Sequence, residues 1–193
     1  MSPRTEKQFE EIRESKKALI QEVALELFAT KGYHSTSISM IAKKAGISKG
    51  LLYNYYESKE DLLNEIVIHG LNQIMLMMDP NQDGEMTDNE LESMIHESFE
   101  ILKSHSRFWI LYFSLLPQAD VFEIVKNKFT EIYKVMTNMM TEYFRKRGDE
   151  DPEAEAVILG SLLDGIYINY IFNRENFPLE AVKNKLISIY CHK

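Results

Sequence analysis

The chain has 193 residues, 45% of them apolar, a formal net charge of −8 and one cysteine, Cys191. That apolar share supports a packed core, and a single cysteine excludes a disulfide framework within the chain and points to a reducing compartment. No run approaches the ~18 apolar residues of a membrane span, and the charged N-terminus lacks the apolar core of a signal peptide, so a cytoplasmic protein with no membrane partner is expected.

Charge is divided unevenly. Residues 1–60 hold ten Lys/Arg against eight Asp/Glu, and the remainder holds 12 against 22. A weakly positive N-terminal part suits phosphate contacts, whereas the acidic remainder does not suit a general nucleic-acid surface.

The first predicted helix carries Leu19, Ile20, Val23, Ala24, Leu27 and Phe28 as a double stripe at helical spacing and is ended by Gly32; the residues before about Ser15 are charged. Next, Ile38, Ile41, Ala42 and Ala45 recur at the same period, and Gly46 follows where the chain needs φ > 0 to leave a helix. Ile47 is placed to plug the following corner, and Ser48 to cap the next helix. Over residues 49–56, Leu52 and Tyr56 share one stripe, with Gly50, Leu51 and Asn54 opposite and Lys49, Tyr53 and Tyr55 flanking. A solvated helix face would carry Glu and Lys, so this outer face of Gly, Leu, Asn and Tyr reads as a contact surface. Ser58-Lys59-Glu60-Asp61 before Leu62 and Leu63 fits a capping box, and a long helix runs from Lys59 to about Met78.

After a polar loop over Asp79–Asp88, further helices are predicted at about 88–104, 106–117, 119–147, 151–173 and 178–191, punctuated by Pro117, Gly148, Pro152 and Pro178. Strand signals are scarce, so the fold class is all-α with about nine helices.

The N-terminal pattern closely resembles the DNA-binding domain of the TetR family of bacterial transcriptional regulators. The resemblance rests on the apolar run Ala18 to Tyr33, on Thr36, Ser37, Ile41 and Ala42, on Ala45 to Gly50, on Leu52, Tyr53 and Tyr56, and on Ser58 to Leu63. It implies a three-helix head over residues 1–58, with its helix-turn-helix at about 37–56, and a helical effector-binding and dimerisation domain over 59–193. The expected DNA-contacting set is Thr36, Ser37, Ser48, Lys49, Gly50, Leu51, Tyr53, Asn54, Tyr55 and Lys59. Lys49, Gly50, Tyr53 and Asn54 form the groove-facing part, and Leu51 suits a thymine methyl. Thr36, Ser37, Tyr55 and Lys59 suit phosphates. Asn54 and Tyr55 stand where other members vary or carry His, which leaves the operator sequence open.

The same resemblance implies a ligand-responsive repressor that binds a pseudopalindromic operator as a homodimer through its last two helices. Here Ala156 to Phe172 is apolar almost all round, and Leu179, Val182, Leu186, Ile189 and Tyr190 line one face of the final helix. An effector pocket for a small molecule is implied too, and Trp109, Tyr112, Phe113, Met136, Met140, Tyr143 and Tyr167 are its candidate lining, against the alternative that they are ordinary core.

Residues 79–90 (DPNQDGEMTDNE) satisfy the EF-hand loop pattern. Asp79, Asn81, Asp83 and Glu90 would supply side-chain oxygens and Glu85 its carbonyl to Ca2+. The other reading is a polar turn in which Thr87 and Glu90 form a capping box. A calcium-responsive sensor is therefore the alternative function. For an enzyme there is no nucleophile and base at interpretable spacing, and His34, His69, His96, His105 and His192 are scattered.

Overall fold

The computed structural model describes residues 6–104 and 107–191, so His105, His192 and the expected helix start at 106 lie outside the described residues. The described chain forms α1 (Glu6–Lys31), α2 (Ile38–Lys44), α3 (Lys49–Tyr53), α4 (Lys59–Met78), α5 (Asp88–Lys103), α6 (Arg107–Leu115), α7 (Ala119–Arg147), α8 (Pro152–Phe172) and α9 (Leu179–Tyr190). The all-α class holds.

The caps explain why the boundaries fall where they do. Ser37 accepts from Met40 N–H, Ser48 from Leu51 N–H and Ser58 from Asp61 N–H, so α2, α3 and α4 each open on a serine that occupies one orphan donor. The α2 exit is a Schellman turn. Gly46 has φ 66°, its N–H reaches Lys43 O at 3.3 Å, and Ile47 N–H reaches Ala42 O at 3.0 Å. Two helix boundaries are decided by the structure here. Helix α1 begins at Glu6, so the charged segment before Ser15 is helical, with residues 7–15 all exposed. Helix α3 stops at Tyr53 because Asn54 and Tyr55 donate to Leu51 and Leu52, three residues back, tightening the chain into a turn.

Packing divides the chain into two compact units. The first runs to His69 and includes Leu111–Lys128, and the second holds Gly70–Ile110 and the chain from Phe129. In the first unit Ile20, Ala24, Phe28, Ile41, Leu52, Tyr56, Leu62 and Leu63 are essentially inaccessible and form its core. Residues 111–128 join it because Tyr112 Oη donates to Val67 O at 2.9 Å and Gln118 Nε2 donates to Phe28 O at 3.4 Å. In the second unit α5 and α9 pack together, burying Leu91, Ile95, Phe99, Leu186 and Tyr190. Tyr143 Oη donates to Asp88 Oδ1 at 2.8 Å, and Tyr167 Oη donates to Ser98 O at 3.1 Å.

One helix bears on the expectation that no apolar run is of membrane length. Helix α8 has a mean hydropathy of 1.3 over 18 residues and is long and apolar enough to cross a membrane by length and composition alone. Glu155 and Asp164 interrupt the apolar run in sequence. Ala156, Leu159, Tyr167 and Tyr170 are buried in the second unit, while Val157, Ile158, Leu162, Ile168 and Phe172 are exposed.

Candidate nucleic-acid interface and ligand cavity

The turn between α2 and α3 and the five residues of α3 present one side to solvent. Leu52 anchors α3 in the core, and that burial forces its neighbours outward. Lys49, Gly50, Leu51, Tyr53 and Asn54 are all exposed, Tyr53 by 46%. Lys49 Nζ lies 5.8 Å from the Tyr53 ring centroid, which places a cation beside the phenol on one edge of the face. A Cβ added to Gly50 would meet nothing within 4 Å, so packing within the protein does not demand glycine there. What glycine provides is a low surface beside Leu51. Ser37 and Ser48 are exposed at their caps, and Tyr55 is half-buried at the rim.

Thr36 and Lys59 are placed differently from expectation. Thr36 is 1% exposed, and its Oγ1 lies 3.0 Å from Gly32 O and 3.2 Å from Leu27 O, so the hydroxyl is turned into the domain. Lys59 Nζ donates to Tyr33 O at 2.9 Å and Thr36 O at 3.0 Å and sits 4.1 Å from the Tyr33 ring centroid. Burial lowers the Lys59 pKa, and burial first, then the nearby Glu60 charge, raises Tyr33 to about 12. These two side chains lock the corner joining α1, α2 and α4 instead of facing outward. In sequence a Thr and a Lys at helix starts look like phosphate ligands; the carbonyls that claim them come from Leu27, Gly32 and Tyr33, which no local pattern reveals.

In the second unit a cavity of about 50 Å3 lies among α5, α6 and α8. Ile101 and Leu102 line it from α5, Trp109 and Ile110 from α6, and Tyr167, Tyr170 and Ile171 from α8. Arg174, in the turn after α8, adds the one charged side chain of the lining. Of the expected pocket residues, this cavity brings together Trp109 and Tyr167. Tyr112 belongs to the first unit, bonded to Val67, with Phe113 edge-on to its ring at 5.7 Å. Met140 and Tyr143 are buried and Met136 is half-buried, and none of the three lines the cavity. Ile101, Tyr170, Ile171 and Arg174 carried no signal in the sequence, because the four are separated by up to seventy-odd residues and meet only when α5 packs near α8.

The 79–90 loop does not gather its oxygens. Asp79 is 7% exposed, and its two carboxylate oxygens accept from Asp83 N–H at 3.1 Å and Gly84 N–H at 2.9 Å. Asn81 Oδ1 accepts from Asp83 N–H and Asp83 Oδ1 from Glu85 N–H. Glu90 faces the other way and accepts from Thr87 N–H and Oγ1, both at 2.8 Å, completing a capping box. Glu85 pairs with Lys146 at 2.9 Å. Among the described residues no group of three or more His, Cys, Asp or Glu is arranged to hold a metal ion. The loop is a turn whose carboxylates satisfy backbone N–H groups, with Gly84 at φ 79° allowing the reversal. In this arrangement Asp79, Asn81 and Asp83 are engaged by backbone N–H groups, Glu90 by its cap and the Glu85 side chain by Lys146.

A capped helix-turn-helix with an outward-facing second helix, carried on an all-helical chain, defines a DNA-binding regulator. Residues 15–66 match the family described as bacterial regulatory proteins, tetR family. The N-terminal region of the chain is therefore a TetR-family DNA-binding region. Over 179 residues it is 26% identical to the fatty acid metabolism regulator protein of Bacillus subtilis (strain 168), covering 88% of this chain and 91% of that protein. A transcriptional regulator from Pseudomonas aeruginosa PAO1 shares the fold with a TM-score of 0.72 at 21% identity, covering 91% of this chain and 88% of that one. So does the regulator FadR from Bacillus subtilis, solved in complex with stearoyl-CoA, with a TM-score of 0.69 at 22% identity and coverage of 91% and 97%.

Proposed function

We propose that the protein is a ligand-responsive repressor that binds a pseudopalindromic operator as a homodimer and reads it with the outer face of α3. The observation that carries this reading is the exposure of Lys49, Gly50, Leu51, Tyr53 and Asn54 together, on a helix whose only buried residue is Leu52. Asn54 suits a base edge, Leu51 a thymine methyl, and Lys49 and Tyr53 phosphate or base contacts at the groove wall. Ser37, Ser48 and Tyr55 border that face. Thr36 and Lys59 hold its framework.

Dimerisation through the last two helices is supported by the exposed apolar residues of α8, where Val157, Ile158, Leu162 and Ile168 are 41–52% exposed and Phe172 is 86% exposed, together with Ile189 on α9 at 42%. An apolar surface of that kind is what a second copy would cover. An acyl compound is the effector class favoured by the names of two relatives. The calcium-sensing alternative has less support, because Asp79, Asn81 and Asp83 already accept from backbone N–H groups.

The test is an electrophoretic mobility shift on the DNA upstream of the protein's own coding region, with sedimentation to count the subunits bound. Specific binding by a dimer supports the reading; binding that does not distinguish this DNA from random sequence overturns it.

A further inference from the structure

We propose that the cavity among α5, α6 and α8 is a binding site for an aliphatic carboxylate, with the chain seated against Trp109, Tyr167 and Ile171 and the carboxylate paired with Arg174. The inference deepens the effector reading above, and it stands or falls on binding alone.

Three observations carry it. The lining is apolar or aromatic apart from one cation, so a ligand matching it has an apolar body and a single anionic end. The deep residues Leu102, Trp109, Tyr167 and Tyr170 are buried, whereas Arg174 and Ile110 are exposed, so the charge stands on the solvent side and the apolar wall inside. That is the polarity of a carboxylate entering tail first. Arg174 is also held in place. Its guanidinium lies 5.7 Å from the Tyr170 ring centroid, Tyr170 is in turn edge-on to Phe177 at 5.8 Å, and the turn carrying it is closed by Asn176 N–H to Asn173 O at 3.2 Å. No carboxylate neutralises Arg174 among the described residues. A planar guanidinium with no carboxylate beside it offers two parallel donors to one.

Size sets the probe. A volume of about 50 Å3 admits roughly four water-sized probes, the room taken by a chain of about four or five carbons. Hexanoate is the ligand of that length, and hexan-1-ol is its neutral counterpart.

Trp109 lines the cavity and is the only tryptophan of the chain, so its fluorescence reports occupancy directly. Titrating the full-length protein is expected to give a saturable change with hexanoate, and binding of hexan-1-ol weaker by about fivefold or more. Arg174→Gln is expected to bring hexanoate down to the level of the alcohol while leaving the alcohol unchanged. Ile171→Trp, which fills the cavity, is expected to abolish both; ligand binding for that variant is read by calorimetry because it adds a second tryptophan. Absence of a saturable change, equal affinity for acid and alcohol, or an Arg174→Gln variant that still prefers the acid would each overturn the site. A mobility shift run in parallel keeps the two readings apart: hexanoate that binds without releasing operator DNA leaves the site standing and removes its role as effector site.

Discussion

Tyr112 of α6 donates its phenolic hydrogen to the carbonyl oxygen of Val67 in α4 at 2.9 Å, across 45 positions of sequence. The ring is fully buried and burial drives its pKa well upward, so the hydroxyl stays a donor at any physiological pH. This bond and the burial around it are why residues 111–128 belong to the same compact unit as the head.

Removing that hydroxyl has a bounded cost. Tyr112→Phe keeps the ring and loses one buried hydrogen bond, a destabilisation of about 1 kcal/mol, which for a chain of this size lowers Tm by about 2–4 °C. Differential scanning calorimetry measures it, and an unchanged Tm would show that the bond contributes nothing net.

Tyr53 and Thr36 should separate cleanly between function and stability. Tyr53 is nearly half exposed and supports no core, so Tyr53→Ala leaves Tm within about 1 °C and weakens specific operator binding roughly 10- to 100-fold. Thr36→Val removes a buried hydroxyl that bonds two carbonyls and lowers stability by about 1–2 kcal/mol. Quantitative gel shifts and thermal melts on the two variants check the pair; a Thr36→Val protein of unchanged stability and impaired DNA binding would reverse the roles.

The alkaline limb of stability follows from three phenols. Burial is the first cause that raises Tyr33, Tyr143 and Tyr167 from the ordinary 10.0 to about 12. The folded state therefore holds those protons longer than the unfolded chain. The stability this confers is complete below pH 10 and is lost as pH climbs from 10 through 12. Phenolate absorbance should show these groups ionising together with unfolding, and free titration near pH 10 in the folded protein would contradict the burial.

At the 79–90 loop the expected result is structural. Thr87→Ala breaks the capping box and costs about 1 kcal/mol, while added Ca2+ leaves Tm unchanged because ligand binding to the folded state would have to raise it. A calcium-dependent rise in Tm would restore the metal reading.

On α8, Ile168→Glu places a charge on a residue that is already 52% exposed, so the subunit still folds. Sedimentation equilibrium is expected to find monomers, with operator affinity falling in step. A dimer that survives the substitution moves the interface elsewhere.

Much of this protein is legible along the chain because the relevant physics is local. Ser37, Ser48 and Ser58 announce helix starts by bonding N–H groups three positions on, Gly46 marks the exit of α2, and Leu52 with Tyr56 dictates which side of α3 is buried; each depends on neighbours within one turn. The outward face of Lys49 to Asn54 follows from that same short-range geometry. Partners distant in sequence decided the rest. Thr36 and Lys59 turned inward because the carbonyls of Leu27, Gly32 and Tyr33 were within reach. Tyr112 left the expected pocket for Val67, and Arg174 joined a cavity built from α5, α6 and α8. A side chain's type and spacing establish what it is able to bind, but a buried polar group bonds whichever partner the packing brings within 3 Å, and only the tertiary structure makes that choice.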